Sequence, residues 1–575
     1  MNNREIAQTF ATIADLLAIR GDSVHRVLAY RRAAENVTEL GRDLDAIRQE
    51  GKLQDIPGIG ATLAAKIAEM LDSGRLEFYE TLTAEIPGTL VELLRVEGLG
   101  PKRVKQLYDE LGIESLEELS AAAQAGRLRE LSGLGKKSEA KILAGIATLD
   151  RHGDERMLLG VAWPIAHEIL SELRALPGVI KAAAAGSLRR MRETTGDIDL
   201  LVAAEASAEV MRYFREMQRV DNVLGSGPTK TSVVLHNGVQ VDLRVLAPQR
   251  WGTLLSYFTG SKAHNVRLRE VALAKGFSLN EHAFTSLEDG SEILCASEEA
   301  VYEVLDLPYI PPQLREDRGE IEAASARALP ELVSLTDLRG DLHMHTTWSD
   351  GRQTVREMAR AAQALGHEYI VITDHSASLG IANGLSVERL WAQQEEIRAV
   401  DEEMGPAFRV LHGSEIEIRA DGSLDYTDDV LAGLDFVIAS LHMSLAQPRD
   451  VITRRALAAI ENPHVDMLAH PTGRLMPERA GADLDMDRVL AAAAQHGTIL
   501  EVNASPSRLD LRDSHVRRAL EIGVRLAINT DAHHSDQLEL THFGVGTAQR
   551  GWATATSVVN TWPIDRLLRY LRGRG

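Results

Sequence analysis

Gly186-Ser187-Leu188-Arg189-Arg190, followed by Gly196-Asp197-Ile198-Asp199-Leu200-Leu201-Val202, is the stretch on which the reading turns. On a strand, residues i and i+2 share a face. Asp197 and Asp199 therefore point one way while Ile198 and Leu200 enter a core. The aliphatic flanks predict a strand rather than a turn. Two carboxylates side by side on a rigid strand repel each other unless cations lie between them. The spacing suits two Mg²⁺ ions roughly 3.5–4 Å apart. The Gly186-Ser187 turn and Arg190 supply backbone N–H, hydroxyl and guanidinium donors for a polyphosphate. Together these groups predict nucleotidyl transfer.

The chain has 575 residues, room for several domains of roughly 100–200 residues each. Its one cysteine, Cys295, excludes an intrachain disulfide and fits a reducing cytoplasm. The opening Met1-Asn2-Asn3-Arg4-Glu5 starts an amphipathic helix, not a basic-then-apolar signal. No apolar run approaches the ~20 residues of a membrane span. The sequence thus predicts a cytoplasmic protein with no membrane partner. The net charge of −21 argues against nucleic acid only if it is spread evenly, and it is not. Basic residues cluster at Arg26 to Arg32, at Lys102-Arg103-Val104-Lys105, at Lys136-Lys137 and at Arg189 to Arg192, and local patches decide phosphate binding.

Three apolar-x-Gly-apolar-Gly turns, each opening a helix, recur in the first ~150 residues. They are Ile56-Pro57-Gly58-Ile59-Gly60, Val96-Glu97-Gly98-Leu99-Gly100 and Leu131-Ser132-Gly133-Leu134-Gly135. The glycines Gly58, Gly60, Gly98, Gly100, Gly133 and Gly135 let backbone N–H groups approach an anion at a helix start. The pattern resembles the helix-hairpin-helix motif, which grips DNA phosphates without reading sequence. From about residue 155 strands and helices mix. Strands are expected near Ile180–Ala185, Ile198–Ala203, Lys230–Leu235 and Val239–Leu246. Asn237-Gly238 marks a hairpin between the last two. Asp242, in Gln240-Val241-Asp242-Leu243-Arg244, then becomes the candidate third carboxylate. Pro311-Pro312 and the charged stretch to about Leu338 predict the main domain boundary.

On these residues the first ~317 positions resemble the family X DNA polymerases, the small repair class. Gly186-Ser187, Arg190 and Gly196-Asp197-Ile198-Asp199 match the palm motif, and Asp242 matches the third catalytic carboxylate. Tyr257-Phe258-Thr259-Gly260-Ser261 matches the segment packed against the incoming sugar. Asn265 and Arg269 fall where the family contacts nucleotide and template. The resemblance implies that Asp197 and Asp199 hold two Mg²⁺ or Mn²⁺ ions, that Asp242 helps activate a primer 3′-hydroxyl, and that Ser187 and Arg190 bind the β- and γ-phosphates. Phosphoryl transfer needs charge neutralisation and in-line positioning more than a strong base, which fits these side chains. Two departures stand out. Lys262, a further candidate nucleotide contact, replaces an acidic residue of the animal members. Lys66 aligns with the family's Schiff-base lysine, yet Thr62 stands where another lysine is expected. Lys66 is left open between a lyase nucleophile and a phosphate or structural residue.

Beyond the linker, Asp341-Leu342-His343-Met344-His345 ends a predicted strand with two imidazoles on one face. Thr373-Asp374-His375, His412-Gly413-Ser414-Glu415, Ser440-Leu441-His442, Ala469-His470-Pro471 and Asn529-Thr530-Asp531-Ala532-His533 follow. Each comes after a short apolar run, with helices between. Strand–ligand–helix repeated this often is the layout of a βα barrel with its site at the strand C-termini. Mixed imidazole and carboxylate ligands suit Zn²⁺, Mn²⁺ or Fe²⁺. Several such ions would activate water and clamp a phosphodiester. This half resembles the PHP (polymerase and histidinol phosphatase) domain, a distorted (β/α)7 barrel with a trinuclear centre. The resemblance implies one ion on His343, His345, Glu415 and Asp531, a second on Glu415, His442 and His470, and a third on Asp350, His375 and His533.

The expected architecture is therefore multidomain, mixing α+β and α/β. It places an N-terminal helical domain at 1–85, fingers with helix-hairpin-helix motifs at 86–150, a nucleotidyltransferase palm at 151–246 and a thumb at 247–317. A linker at 318–338 and a PHP barrel at 339–575 complete it. The expected function is gap filling on gapped or nicked DNA with dNTPs, by a monomer. It is joined to a metal-dependent 3′–5′ exonuclease or 3′-end-processing phosphodiesterase, with cleavage at abasic sites also open. The alternatives are a polymerase with a purely structural barrel and a DNA-end-binding scaffold.

Overall fold

The computed structural model describes residues 1–96, 98–152 and 156–573. Glu97, inside the second hairpin motif, lies outside the described residues. The chain forms two compact units, 1–155 and 156–575.

The first unit is helical. Helices Asn3–Arg20 and Val24–Thr38 pack as an antiparallel pair, followed by Ala61–Ser73, Glu77–Glu85, Pro101–Leu111, Leu116–Gln124 and Lys136–His152. Asn2 and Glu5 form a capping box at the start of the first helix, satisfying two N–H groups that a helix start otherwise leaves bare. One apolar core runs through the unit, from Ile6, Phe10 and Leu17 to Leu107, Leu119 and Ile142.

The second unit holds two sheets that matter for function. The palm sheet has strands β1 (Val179–Ala184), β2 (Ile198–Ala204), β3 (Val220–Ser226), β4 (Lys230–Leu235) and β5 (Gln240–Leu246), in the order β1-β2-β5-β4-β3. Only β2 and β5 run parallel, with Asp199 opposite Asp242. Strand β3 was not expected. It is an exposed edge strand with irregular register against β4, so its sequence carries no alternation. After the palm come helices Trp251–Thr259 and Lys262–Ala274 and a small antiparallel sheet over 277–293.

The barrel follows as β6 (Gly340–Asp341), β7 (Tyr369–Ile372), β8 (Arg409–Glu417), β9 (Phe436–Ser440), β10 (Met467–Leu468), β11 (Ile499–Asn503) and β12 (Leu526–Asn529). All are parallel and in sequential order. Side chains nearly close the ring. Asn529 Oδ1 accepts from the Leu342 N–H at 3.1 Å, and Asp341 accepts from the Thr530 N–H and hydroxyl at 3.1 and 2.6 Å. A single bridge, Met344 to Ala532, spans the remaining gap. Among the described residues no helix is long and apolar enough to cross a membrane.

Residues 318–338 are a packed connection rather than a loose spacer. Glu320 is fully buried and accepts from the Arg318 N–H at 2.7 Å, Arg315 is fully buried against Glu298, and Val333 enters the barrel core. Composition suggested a linker because two of its charges pair at long range, Glu320 with His264 at 2.7 Å and Arg318 with Asp513 at 3.1 Å. The palm and barrel also touch directly. A Cβ on Gly160 would meet Pro506 at 2.4 Å, and one on Gly546 would meet Met191 at 2.6 Å. At their seam Glu316 pairs with Arg190 at 2.9 Å and Arg550 at 2.8 Å, and Arg550 also pairs with Asp513 at 2.8 Å.

Burial alone would raise the Glu316 carboxyl, but Arg550, Arg190 and Arg192 outweigh it and hold it at about 2, against an ordinary 4.5. A depressed carboxylate stabilises the fold above its unfolded value and loses that contribution as pH falls. Glu316→Ala, which strands two buried guanidinium groups, is expected to destabilise the 156–573 unit by about 3–5 kcal/mol at pH 7. Calorimetry at falling pH should show the gap between parent and variant shrinking from pH 4.5 toward 2.

Candidate active sites

In the palm, the parallel register of β2 and β5 brings Asp199 beside Asp242, and Asp197 stands just ahead of β2. One oxygen from each of the three lies within 4.8 Å of the others. Gly186, at φ +60°, allows the approach, since a Cβ there would lie 2.5 Å from Asp199 Oδ2. Burial, then Asp197 and Asp242, pushes Asp199 up to about 7. Burial and Asp242 raise Asp197 as well. Asp242 goes the other way. Burial would raise it, but hydrogen bonds from Lys230, Ser232 and Gln240 prevail and lower it. Lys230 Nζ lies 2.6 Å from Asp242 Oδ2. The carboxylates thus differ in charge state although they share a site, and a cation that binds all three must displace the proton Asp199 favours.

Around them Ser187 Oγ meets Thr195 Oγ1 at 2.6 Å, and Thr195 donates to the Asp197 carbonyl at 2.7 Å. This chain of hydroxyls ties the Gly186-Ser187 turn to the carboxylate loop. Gly196 lies beside Arg156, whose guanidinium binds Thr194 and acts electrostatically on Asp197. Arg244 lies over the Phe258 ring at 4.3 Å, and Tyr257 meets Phe258 edge-on. Asn265 donates to the Tyr257 carbonyl at 2.6 Å, and a Cβ on Gly260 would strike Asn265 at 2.7 Å. Asn265 therefore holds this turn. Lys262 and Arg269 are exposed on the same helix.

Arg190 departs from expectation. It is 9 % exposed, bonded to Glu316, and donates to the Thr259 carbonyl at 2.8 Å. The guanidinium expected on a phosphate is held instead at the seam with the barrel. Arg156 and Lys230 were missed, since no local pattern marks them.

The barrel gathers all nine expected residues. Glu415, in the longest strand β8, is their centre. Its oxygens lie 2.9 Å from His375, 3.0 Å from His470, 3.3 Å from His442, 3.4 Å from His343 and 3.5 Å from His345. His343 Nε2 and His345 Nε2 are 3.2 Å apart, and Asp531 Oδ1 is 3.2 Å from His345. Asp350 lies 3.4 Å from His533 and 3.7 Å from His375. Buried atoms including Glu415 Oε2, His345 Nδ1 and His470 Nδ1 find no hydrogen-bond donor or acceptor. Buried polar atoms are otherwise almost always bonded. Imidazoles and carboxylates gathered around one buried glutamate are the donor types that divalent ions take, so the donor set fits such ions. The groupings overlap rather than forming three separate sets. His345 joins Asp350, His375 and His533, while His470 joins His343 and Asp531. A central Glu415 makes such overlap unavoidable.

Partners that sequence reading missed orient these ligands. Glu501 accepts from His343 Nδ1 at 2.8 Å and from the His470 N–H at 2.8 Å. Glu417 meets His442 Nδ1 at 2.9 Å. Asp374 accepts from Thr346 and Ser349, fixing the loop that bears Asp350. Such contacts fix imidazole orientation and basicity. A carboxylate inside Ile499-Leu500-Glu501-Val502 was the available signal. A charge in an apolar strand must be partnered. Burial lowers His345 to about 3, while Glu415 carries His442 up to about 9 against burial.

In the first unit Gly58, Gly98 and Gly133 adopt φ of +75°, +91° and +80°. Gly60 and Gly100 cap helices Ala61–Ser73 and Pro101–Leu111. The space around Gly60, Gly100 and Gly135 is open, so these backbones can be approached closely. Lys66 Nζ lies over Phe78 at 3.9 Å, and burial followed by Arg26 lowers its pKa against Glu69.

Family models match four stretches: a helix-hairpin-helix domain at 1–76, a SAM-like helix-hairpin-helix tandem at 90–148, the DNA polymerase beta thumb at 254–316 and the PHP domain at 341–505. The DNA polymerase/3′-5′ exonuclease PolX of Bacillus subtilis (strain 168) is 41% identical over 574 residues, covering 100% of both chains. A probable phosphatase of Thermoanaerobacter sp. (strain X514) is 31% identical over 244 residues, 40% of this chain and 94% of its own. DNA polymerase lambda of Rattus norvegicus is 25% identical over 345 residues, 55% of this chain and 56% of that one. Matched from end to end, with palm carboxylates and barrel ligands in one unit, the chain belongs to the family X DNA polymerases that carry a C-terminal PHP domain.

Proposed function

We propose that this protein is a DNA-directed DNA polymerase that fills short gaps, with a 3′–5′ exonuclease in its barrel. The observation that carries the reading is the presence of two complete donor clusters, three carboxylates in the palm and nine ligands in the barrel. The reading makes Asp197 and Asp199 the holders of Mg²⁺ or Mn²⁺, with Asp242 beside the primer terminus. Bound cations would offset the carboxylate charge and the charge developing on the transferred phosphate. The primer 3′-oxygen attacks the α-phosphorus, the α–β P–O bond breaks and pyrophosphate leaves. Asp242, kept ionised by Lys230, helps draw the 3′-hydroxyl proton. Ser187, Gly186 and Gly196 shape the phosphate side. Tyr257, Phe258 and Gly260, held by Asn265, shape the sugar side, and Lys262 and Arg269 reach the nucleotide and template.

In the barrel, up to three Mn²⁺, Zn²⁺ or Fe²⁺ ions are assigned to His343, His345, Asp350, His375, Glu415, His442, His470, Asp531 and His533. Water attacks the terminal phosphodiester, the P–O3′ bond breaks, and a nucleoside 5′-monophosphate leaves a new 3′-hydroxyl. The hairpin glycines are assigned to the phosphates of gapped or nicked DNA. Lys66 is assigned to the 5′ side of the gap, with its lowered pKa and Phe78 contact supporting a lyase role. The protein is assigned to the cytoplasm as a monomer, with the domain limits given above.

Alanine at both His343 and His345 is expected to cut Mn²⁺-dependent 3′ degradation by at least about 100-fold while gap filling changes little. Labelled gapped and single-stranded substrates, assayed with one preparation, check it; a structural barrel would leave degradation unchanged. Because Asp199 titrates at about 7, Mg²⁺ binding to the palm should weaken about tenfold per pH unit below that point. Calorimetry on the double alanine variant should find about one proton released per site at pH 6 and almost none at pH 8.5.

A further inference from the structure

The barrel cluster forms the floor of a 540 Å³ cavity, within the roughly 300–1,000 Å³ range of small-molecule sites. Its lining is of two kinds. Arg479 and Arg508, close enough to act on each other electrostatically, are charged, and Leu379, Ile381 and Met443 are apolar. Arg508 Nε lies 3.6 Å from Asp531 Oδ2, so the guanidinium stands beside the ligand cluster. Its Nη1 is buried and has no hydrogen-bond partner, and a buried charged donor is rarely left so. Arg479 donates through Nε to the Gly473 carbonyl at 2.9 Å. Two guanidinium groups in one lining, beside a floor built for cations, favour an anion between them.

The apolar part of the lining is open to solvent. Ile381 is 98 % exposed and Met443 37 % exposed. Ile381 sits in a short 3₁₀ turn, Gly380–Ala382. The turn is pinned, since Asn383 donates to the carbonyls of Trp348 and Ser349, next to Asp350, and Leu385 bridges back to Ser376. Ser378 N–H donates to Asp425 at 2.7 Å. A rigid turn therefore presents an aliphatic side chain to solvent at the mouth of a charged cavity.

We propose that this cavity is a one-nucleotide subsite in which Arg508, with Arg479, holds the terminal phosphodiester and Ile381, Leu379 and Met443 receive the 3′-terminal base. The inference rests on the barrel being the exonuclease. It adds the groups that seat the substrate, which the ligand cluster alone does not supply.

The test uses full-length protein with Mn²⁺ and two 5′-labelled oligonucleotides. They are identical except that one ends in a tetrahydrofuran residue, which keeps the phosphodiester and lacks the base. Arg508→Gln should lower kcat/KM at least about tenfold on both, with Arg508→Lys restoring part of it. Ile381→Ala should lower kcat/KM about tenfold on the base-ended strand and leave the other unchanged. Gap filling by the same preparations should stay at the parent rate, which separates these losses from misfolding. Undiminished activity of Arg508→Gln, or equal behaviour of Ile381→Ala on both strands, overturns the subsite. The His343→Ala, His345→Ala protein run alongside tells the failures apart. If it still degrades 3′ ends, the barrel assignment itself falls; if it does not, only the subsite falls.

Discussion

Three carboxylates within 4.8 Å of one another repel, and the palm is organised around holding them there. The parallel pairing of β2 with β5 sets Asp199 against Asp242. A strand is stiff enough to keep them apart by a fixed distance but cannot let them separate. The Gly186 turn leaves space for the Asp199 carboxylate. Lys230 pairs directly with Asp242 and acts on the other two only through space, so burial and the mutual repulsion prevail at Asp199 and Asp197, whose pKa values rise. That repulsion is relieved by a proton, which Asp199 favours, or by a cation placed between the carboxylates.

The barrel solves the same problem with a different geometry. A nearly closed ring of parallel strands puts all its C-terminal ends on one face, and Glu415 stands where five imidazoles converge. The outer nitrogens of His343 and His442 are bound by Glu501 and Glu417. Those contacts decide which nitrogen faces the centre. The seam of the ring is closed by Asn529 and Asp341, adjacent in sequence to Asp531 and His343. Closure of the barrel and placement of the ligands are thus the same structural event.

Local pattern carried much of this. Alternation over Ile198–Val202 revealed β2, glycine spacing revealed the hairpins, and histidines after short apolar runs revealed the barrel ligands. Local pattern failed where a residue's partner is remote. Arg190 has the right type and spacing for a phosphate ligand, yet Glu316, 126 residues on, holds it. Residues 318–338 read as a linker because their charges meet partners elsewhere in the chain, Glu320 with His264 and Arg318 with Asp513. Arg508 and Lys230 carry no motif at all. Their placement comes from the fold, and only packing makes them legible.

The seam binds the chemistry of both halves. Glu193 follows shortly after the palm's Gly186-Ser187 turn and pairs with Arg474 of the barrel at 2.9 Å. Arg474 in turn donates to the carbonyls of Arg508 and Leu509, the backbone that presents Arg508 to the barrel cavity. In the reverse direction Arg550 donates to the Arg190 carbonyl at 2.9 Å, and Met191 packs beneath Gly546. The loop over 186–193 thus braces the loop over 505–511 through Arg474, and helix Thr541–Arg550 in turn braces the loop over 186–193. Breaking the buried Arg190–Glu316–Arg550 pairing on this seam is expensive because it strands a charge. A polymerase and a nuclease merely strung together would need no such arrangement. Here the palm is part of the scaffold of the barrel cavity, and the barrel is part of the scaffold of the palm's Gly186-Ser187 turn.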